Sequence, residues 1–292
     1  MKILNFGSLN IDYVYSVEHM VQPGETLASE KMEIFCGGKG LNQSIALAKA
    51  GAKVYHAGLI GEDGEILRQT MEEAGVDCRF TKTIAAKTGH AIIQVDPSGQ
   101  NCILLYGGAN RCMTSQFIDE VLEEFGKGDV LVLQNEVNRL DEIVNKAHAA
   151  GMHIVLNPSP FDDELKAVDF NKISTLMLNE VEGEQMTGEA DPLKAISQLH
   201  AHFSKMEIVM TLGEQGSVYQ SENDTCRAQA VPVEAVDTTA AGDTFTGYFL
   251  TAQAEGLSPK EALKLASKAA AITVTRSGAS PAIPLREEVN MR

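Results

Sequence analysis

Short apolar runs alternate along the chain with longer stretches in which apolar residues recur at helical spacing. Asp129–Gln134 contains a continuous apolar run typical of a buried strand, Leu140–Ala150 has the helical period, and Met152–Leu156 is apolar again. A strand, a helix and a strand at this spacing predict a βαβ crossover with parallel strands. The same rhythm predicts further strands at Lys2–Phe6, Lys53–Ile60, Ser174–Leu178 and Glu207–Thr211, and further helices at Gly40–Ala50, Gly64–Ala74, Pro192–Phe203, Ala241–Glu255 and Pro259–Val274.

One region departs from this rhythm. His90–Asp96 and Gln100–Tyr106 flank a Pro-Ser-Gly loop and predict a β-hairpin, and Asp12–Val17 and Met32–Phe35 are two more short strand-like runs. We expect these runs to form a small sheet, a lid built from segments at about 12–36 and 88–107, projecting from an α/β core. No shift in composition marks a linker, so a single domain over residues 1–292 is expected.

Composition and net charge make some classes of binding partner improbable. The chain has 44% hydrophobic residues, enough for a sizeable core, and 24 Lys+Arg against 40 Asp+Glu give a formal charge of −16. Nucleic-acid and membrane-surface binders usually carry basic faces, so we expect neither nucleic acid nor a membrane as a partner. Scattered cysteines without a CxxC pair predict reduced thiols, and neither a signal segment nor an apolar run of membrane length is found, so a cytoplasmic location is expected.

The first motif with chemical potential is Cys36-Gly37-Gly38-Lys39-Gly40-Leu41-Asn42, directly before a predicted helix. Glycines at a helix entry let a ligand approach the backbone N–H groups, and Asn42 places an amide on the first turn. The spacing is neither that of a Walker A loop nor that of a dinucleotide-binding fingerprint. On this motif alone, a flexible loop that enters a helix is an equally good interpretation.

The second motif is the segment Asp237–Gly247, in which small residues precede a predicted helix with Asp243 in its first turn. Backbone N–H groups and one carboxylate then converge, as phosphoryl transfer requires: an anion hole for the phosphate and a base for a hydroxyl proton. Taken singly, Asp243 is better explained as a carboxylate that stabilises a helix N-terminus.

Both motifs belong to a longer series. The chain resembles the ribokinase-like sugar kinases of the phosphofructokinase B superfamily, and bacterial ribokinases most. The matching segments, in order, are 7–12, 23–26, 37–42, 107–110, 134–136, 157–160, 179–182, 211–216, 237–243 and 274–279. This resemblance implies a three-layer α/β/α sandwich with a central, mostly parallel sheet and a β-sheet lid, and an ATP-dependent kinase of a sugar hydroxyl.

The resemblance also implies roles for individual residues. The sugar is expected at Asn10, Asp12, Gly38, Lys39, Asn42 and Glu136. Asp243 is expected to be the catalytic base, and the backbone of Ala240, Ala241 and Gly242 the anion hole. ATP is expected to contact Asn179, Thr211, Gly213, Gly216, Gly242 and Ser267. Glu182, with Asn179, is expected to organise Mg2+ through water. A monovalent cation, K+ in the family, is expected beside Asp237 and the backbone of Thr239, Thr273, Arg276, Gly278 and Ala282, where close relatives offer a serine hydroxyl in place of Ala282.

The sequence does not determine which molecule accepts the phosphoryl group. D-ribose or a similar pentose is favoured, with a ketohexose, a deoxy-sugar or a nucleoside as alternatives, and a non-catalytic sugar sensor as the least favoured. His90 and Tyr106 in the lid are better explained by packing than by sugar contact, and Arg111 and Arg139 by solvation than by a second phosphate. His200 and His202 lack a third ligand for a metal. The apolar strands of the lid predict a homodimer.

Overall fold

The computed structural model describes residues 1–291. Within them the chain forms a nine-stranded sheet and a separate four-stranded sheet. The large sheet contains, in spatial order, β13 (Thr225–Ala228), β12 (Ser217–Gln220), β11 (Glu207–Thr211), β10 (Thr175–Asn179), β9 (His153–Asn157), β8 (Val130–Gln134), β1 (Ile3–Phe6), β4 (Val54–Ile60) and β5 (Asp77–Thr83). The small sheet contains β3 (Lys31–Gly37), β2 (Asn10–Ser16), β6 (Gly89–Val95) and β7 (Asn101–Tyr106).

Helices cover both faces of the large sheet. They are α1 (Lys39–Lys49), α2 (Glu65–Glu73), α3 (Ser115–Leu122), α4 (Leu140–Ala149), α5 (Glu180–Thr187), α6 (Pro192–His202), α7 (Ala241–Ala254), α8 (Pro259–Val274) and α9 (Arg286–Asn290). Successive strand residues point to opposite faces, so β1 sends Leu4 and Phe6 into one core with α3, α4 and α6, and Ile3 into the other with α1, α7 and α8. Two cores on one sheet make three layers.

Strand direction follows the connections. The pairs from β5 through β11 are parallel, as helical crossovers require, whereas β12 and β13 are antiparallel. In parallel strands the carboxyl ends meet at one edge, and ligands bind in the crevice there. The expected α/β fold with a mostly parallel sheet and a small separate sheet is confirmed.

Several elements were not predicted: β5, β12, β13, α3, α5 and α9. The helix α5 has the sequence EVEGEQMT, with too few apolar residues for a visible helical period. Its start is set instead by a capping box, in which Asn179 and Glu182 bond each other's backbone N–H. Predicted and observed ends of the other elements differ by a residue or two, and the single-domain organisation stays a prediction.

Candidate active site

The chain leaves β1 and enters the lid strand β2 within a few residues, and Asn10 and Asp12 lie at the start of β2. The Oδ1 of Asn110 accepts a hydrogen bond from the Leu9 N–H (2.9 Å), and its Nδ2 donates to the Oδ1 of Asn10 (2.8 Å). The Nδ2 of Asn10 is therefore the atom that can donate to a bound molecule. Asp12 is half-buried, and burial, reinforced by the charge of Glu136, raises the pKa of Asp12 to about 7.

The glycine motif before α1 is fastened to the end of β1. Gly38 has a φ of 95°, in the left-handed region that favours glycine. A Cβ on Gly40 would lie only 2.3 Å from the backbone nitrogen of Ser8, so no larger residue fits there. The Ser8 carbonyl accepts from the Leu41 N–H (3.0 Å) and its hydroxyl from the Gly40 N–H (3.2 Å). The motif is thus a fixed loop, held by close approach of two backbones.

Glu136 and Lys39 place opposite charges beside this loop. The Oε2 of Glu136 accepts from the Lys39 backbone N–H (3.0 Å) and from the Ser8 hydroxyl. Burial raises the pKa of Glu136, with Lys39 opposing. Burial alone would lower the pKa of Lys39, but attraction to Asp243, Glu136 and Glu182 raises it. Lys39 therefore stays charged, attracted by these three carboxylates.

The N-terminus of α7 meets α1 at Asp243. Ala240 precedes the helix with φ 60°, an uncommon conformation for a residue with a Cβ, which turns the chain into the first helical turn. Asp243 is buried, and both its oxygens are held from α1: Asn42 Nδ2 donates to Oδ2 (3.1 Å) and Gln43 Nε2 to Oδ1 (2.9 Å). The Oδ1 of Asn42 is buried without a hydrogen-bond partner among residues 1–291, and so can accept from a ligand.

A cavity of 210 Å³ lies directly at this helix end. Its lining brings together residues from five sequence motifs: Lys39, Asn157, Asn179, Glu182, Thr211, Ala240, Ala241, Gly242 and Asp243. The first N–H groups of a helix lack intrahelical partners and carry the positive end of the helix dipole, so this cavity suits an anion. The expected base, anion hole and Mg2+ residues therefore lie around one space.

A larger cavity of 570 Å³ continues from the first, since Thr211, Ala241 and Gly242 line both. Gly213, Gly216 and Ser267 complete the set expected to contact the nucleotide, and all line this cavity. The rest of its wall is mainly apolar, from Ala230 to Ala235 and along α8. An apolar cleft leading to an anion-binding helix end has the shape and polarity that a nucleotide requires.

The residues expected at the monovalent cation lie on two adjoining loops. Asp237 bridges them, because its Oδ1 accepts from the Thr239 N–H (2.9 Å) and its Oδ2 from the Gly278 N–H (2.9 Å). Burial opposes ionisation, but these hydrogen bonds outweigh it and lower the pKa of Asp237. Thr273 lies in the last turn of α8 and Arg276 just beyond its end, and Ala282 is buried in the short 3-10 helix after Gly278.

The lid rings lie away from this site. His90 pairs with Ile11 on one side and Tyr106 on the other, and directly opposed residues share a sheet face. Asp12, one residue beyond Ile11, is therefore on the other face. The His90 ring lies 5.0 Å from that of Tyr106, which supports packing over sugar contact.

Arg111 and Arg139 are both occupied by carboxylates. Arg111 forms an ion pair with Glu164, and Arg139 Nη1 lies 3.0 Å from Glu142 Oε2.

His202 lies beside Phe203 at the end of α6. Within residues 1–291 no cluster of three or more His, Cys, Asp or Glu side chains could hold a metal ion by itself. In the same residues, no helix combines the length and apolar character that crossing a membrane requires.

Three residues that matter here were not singled out from the sequence: Ser8, Asn110 and Gln43. Ser8 and Asn110 stand in the matched segments 7–12 and 107–110, and Gln43 follows the glycine motif directly. Their position in these segments is the only signal that the sequence offers. Their hydrogen-bond partners are about a hundred residues or more away in the sequence, except for the contacts of Ser8 with α1.

The chain is similar to known proteins over nearly its whole length. A family described as pfkB family carbohydrate kinase matches residues 1–286. A ribokinase of Haemophilus influenzae is 37% identical over 296 residues, covering 97% of this chain and 95% of that protein. The crystal structure of a ribokinase from Cryptococcus neoformans in complex with ADP superimposes with a TM-score of 0.89 at 32% identity, covering 100% of this chain and 99% of that one.

An Arabidopsis thaliana ribokinase complexed with ribose and ATP is also similar, with a TM-score of 0.87 at 30% identity over 99% of this chain and 97% of that one. The family match spans nearly every element described above, including both loops that meet at Asp243. The chain therefore belongs to the pfkB family of carbohydrate kinases and is a sugar kinase, a phosphotransferase.

Proposed function

We propose that this kinase transfers the γ-phosphoryl group of ATP to the primary 5-hydroxyl of D-ribose or a similar pentose. The observation that carries the proposal is the position of Asp243. It is bonded to Asn42 of the glycine motif on one side and opens on the other into the cavity at the α7 N-terminus. A hydroxyl held by the motif and a phosphate held by the helix end would meet at this carboxylate.

The sugar would be held by donors and acceptors of both kinds. Asn10 offers an N–H and Asn42 a carbonyl oxygen, while Asp12 and Glu136 offer carboxylates. Gly38 lets the ligand approach the backbone, and Lys39 adds a positive charge. Such a set suits a polyol, whose hydroxyls donate and accept at once.

In the transfer step Asp243 accepts the proton of the attacking hydroxyl. The hydroxyl oxygen bonds to the γ-phosphorus as the bond from that phosphorus to the β,γ-bridging oxygen breaks, and ADP leaves. The N–H groups of Ala240, Ala241 and Gly242 would stabilise the charge on the transferred group. The net charge of −16 is no obstacle, because a local helix end receives the anion.

The two cations fit the residues present to different degrees. Glu182 is buried at the cavity wall with a carboxylate, the hard oxygen ligand that Mg2+ prefers, and could hold it through water. When bound, Mg2+ supplies charge neutralisation to the phosphates. For K+, Asp237 offers a carboxylate and Thr239, Thr273, Arg276, Gly278 and Ala282 offer backbone carbonyls, of which that of Thr273 already accepts from the Arg276 N–H (3.0 Å), and Ala282 contributes no side-chain oxygen.

The relatives support the ligands of this proposal. The Cryptococcus ribokinase structure contains ADP, and the Arabidopsis one contains ribose and ATP. We extend these ligands to the present chain because its cavities lie where the matching residues meet. The cytoplasmic location stays a prediction.

We also propose a homodimer through the lid. The face of the lid sheet opposite Asp12 carries exposed apolar side chains: Met32, Ile34, Ile92, Leu104 and Tyr106. They are 48%, 51%, 38%, 69% and 53% exposed. A contiguous apolar face of this kind, with β3 and β7 as open edges, is typical of an association surface.

Asp243→Asn tests the chemistry. We expect turnover to fall by about three orders of magnitude or more, because the amide cannot take the proton, while ADP affinity changes little. Calorimetric binding of ADP and the thermal midpoint control for the fold. Near-normal turnover would contradict the assignment of the base.

A panel of ribose, 2-deoxyribose, fructose and ribonucleosides, compared by kcat/KM with and without K+, tests the acceptor and the cation.

A further inference from the structure

The base of the proposed reaction is bonded to a residue that no ligand can reach. Gln43 donates from Nε2 to the Oδ1 of Asp243 (2.9 Å). It is 0% exposed and, among the described residues, lines neither of the two cavities at the site. Its neighbour Asn42 leaves its carbonyl oxygen without a hydrogen-bond partner in the described part of the chain, whereas both ends of the Gln43 amide are bonded within the protein. Gln43 can therefore act only through Asp243.

Behind Gln43 lie two more buried amides. The Oε1 of Gln43 accepts from the Nε2 of Gln134 (2.7 Å), and the same Nε2 donates to the Oδ1 of Asn5 (3.0 Å). The Nδ2 of Asn5 donates to the carbonyl of Gly40 (2.8 Å). We call Gln43, Gln134 and Asn5 the amide network. All three are 0% exposed, and they connect α1, β8 and β1 beneath the glycine motif.

The order of donors and acceptors in the amide network follows from one fixed point. The Gly40 carbonyl can only accept, so it requires the NH2 of Asn5 to face it. The Oδ1 of Asn5 must then face Gln134 and accept from its NH2. The same NH2 also donates to Gln43, so Gln43 must turn its oxygen toward Gln134. Only the NH2 of Gln43 remains for Asp243. A flip of any one amide would set two donors or two acceptors against each other in a buried site.

We propose that the amide network positions the base: anchored on the Gly40 carbonyl, it holds the N–H of Gln43 on Asp243, and so keeps that carboxylate oriented for the hydroxyl. This rests on the proposed function of Asp243. The same hydrogen bonds join the base on α7 to the loop that is expected to hold the sugar. Sugar loop and base are thereby fixed relative to each other, as an efficient near-attack geometry requires.

Two substitutions test the amide network without altering a ligand contact. Gln134→Met removes both N–H donors, so the Oε1 of Gln43 loses its partner and the amide is no longer fixed against Asp243. Gln43→Glu keeps an acceptor for Gln134 but places a second carboxyl beside the base. We expect kcat to fall about tenfold or more in each, the size expected for losing one hydrogen bond to a charged group. The KM for the sugar should change by less than about threefold.

The pH profile distinguishes positioning from mere packing. In both variants the acid limb of kcat should move upward by about one pH unit or more, because a hydrogen bond donated to a carboxylate favours its charged form, and one variant loosens that donor while the other replaces it. The charged groups that face Asp243 are Lys39 and, around it, Glu136 and Glu182, and the variants retain all three.

Ser44→Ala is the matched control. Ser44 is equally buried and accepts from Asn5 (2.9 Å), but it lies outside the series that runs from the Gly40 carbonyl to Asp243. It should lower the thermal midpoint and leave the pH profile in place.

The outcomes separate this inference from the proposed function. If Asp243→Asn abolishes turnover while Gln134→Met and Gln43→Glu keep the wild-type kcat and acid limb, Asp243 is still the base but the amide network has no positioning role. If Asp243→Asn itself retains turnover, the proposed function fails first. Equal displacement of the acid limb by Ser44→Ala would reduce the effect to general loosening and overturn the inference. Should Gln43→Glu fail to fold, Gln134→Met decides alone.

Discussion

Asp12→Asn should stabilise the ligand-free protein at neutral and alkaline pH. The pKa of Asp12 rises from its ordinary value of 3.8 to about 7 on folding, chiefly through burial and then through Glu136. Between these values the folded state keeps a proton that the unfolded chain releases, so stability is full below pH 3.8 and falls as pH rises toward 7. The slope is about 1.4 kcal/mol per pH unit, and the loss between pH 5 and 8 reaches about 2.6 kcal/mol. Because Asp12 is only half-buried, solvent screening reduces this value, and we expect about 1–2 kcal/mol.

The assay is urea unfolding of both proteins between about pH 5 and 8, without sugar or nucleotide. The difference in unfolding free energy should grow with pH in favour of the Asp12→Asn variant and level off above pH 7, since all other groups are shared. Asp163→Asn is the control for the loss of one negative charge, because the Asp163 side chain is 89% exposed and pairs with Lys166 at the surface. A flat difference for Asp12→Asn, or one that falls with pH, would refute the reasoning. The gain in stability should coincide with weaker sugar binding, the usual cost of a site built for function.

Three further outcomes are expected. Gly40→Ala should lower the free energy of unfolding by about 2 kcal/mol or more in urea, because its Cβ would lie 2.3 Å from the Ser8 nitrogen. In Gly242→Ala the new Cβ meets nothing within 4 Å, so this variant should keep its stability but lose kcat if phosphate occupies the cavity. Lys39→Met leaves three carboxylates without their cation, so kcat/KM should drop by about a hundredfold or more in steady-state assays, and an unchanged value would remove Lys39 from the site. Leu104→Arg should yield monomers in sedimentation velocity with the fold intact, and a persistent dimer would exclude the lid face.

Local sequence determined much of this protein. Parallel strands with helical crossovers follow from apolar runs and helical periods, as in Asp129–Leu156, because both faces of a parallel sheet must be buried. The glycine motif and the Asp237–Gly247 segment were visible as loops that enter helices. These features depend on residues close together in the chain, and short-range sterics and capping act at that distance.

Tertiary structure decided the rest, because it depends on which distant residues become neighbours. No local pattern indicates that Gln43 bonds a carboxylate 200 residues later, or that Asn110 sets the amide of Asn10. The face on which His90 lies depends on strand register, which moves a side chain across the sheet for a shift of one residue. The sequence alone therefore supplied the chemical groups of the site, and the packing of α1, β8 and α7 determined which atom of each group is free to act.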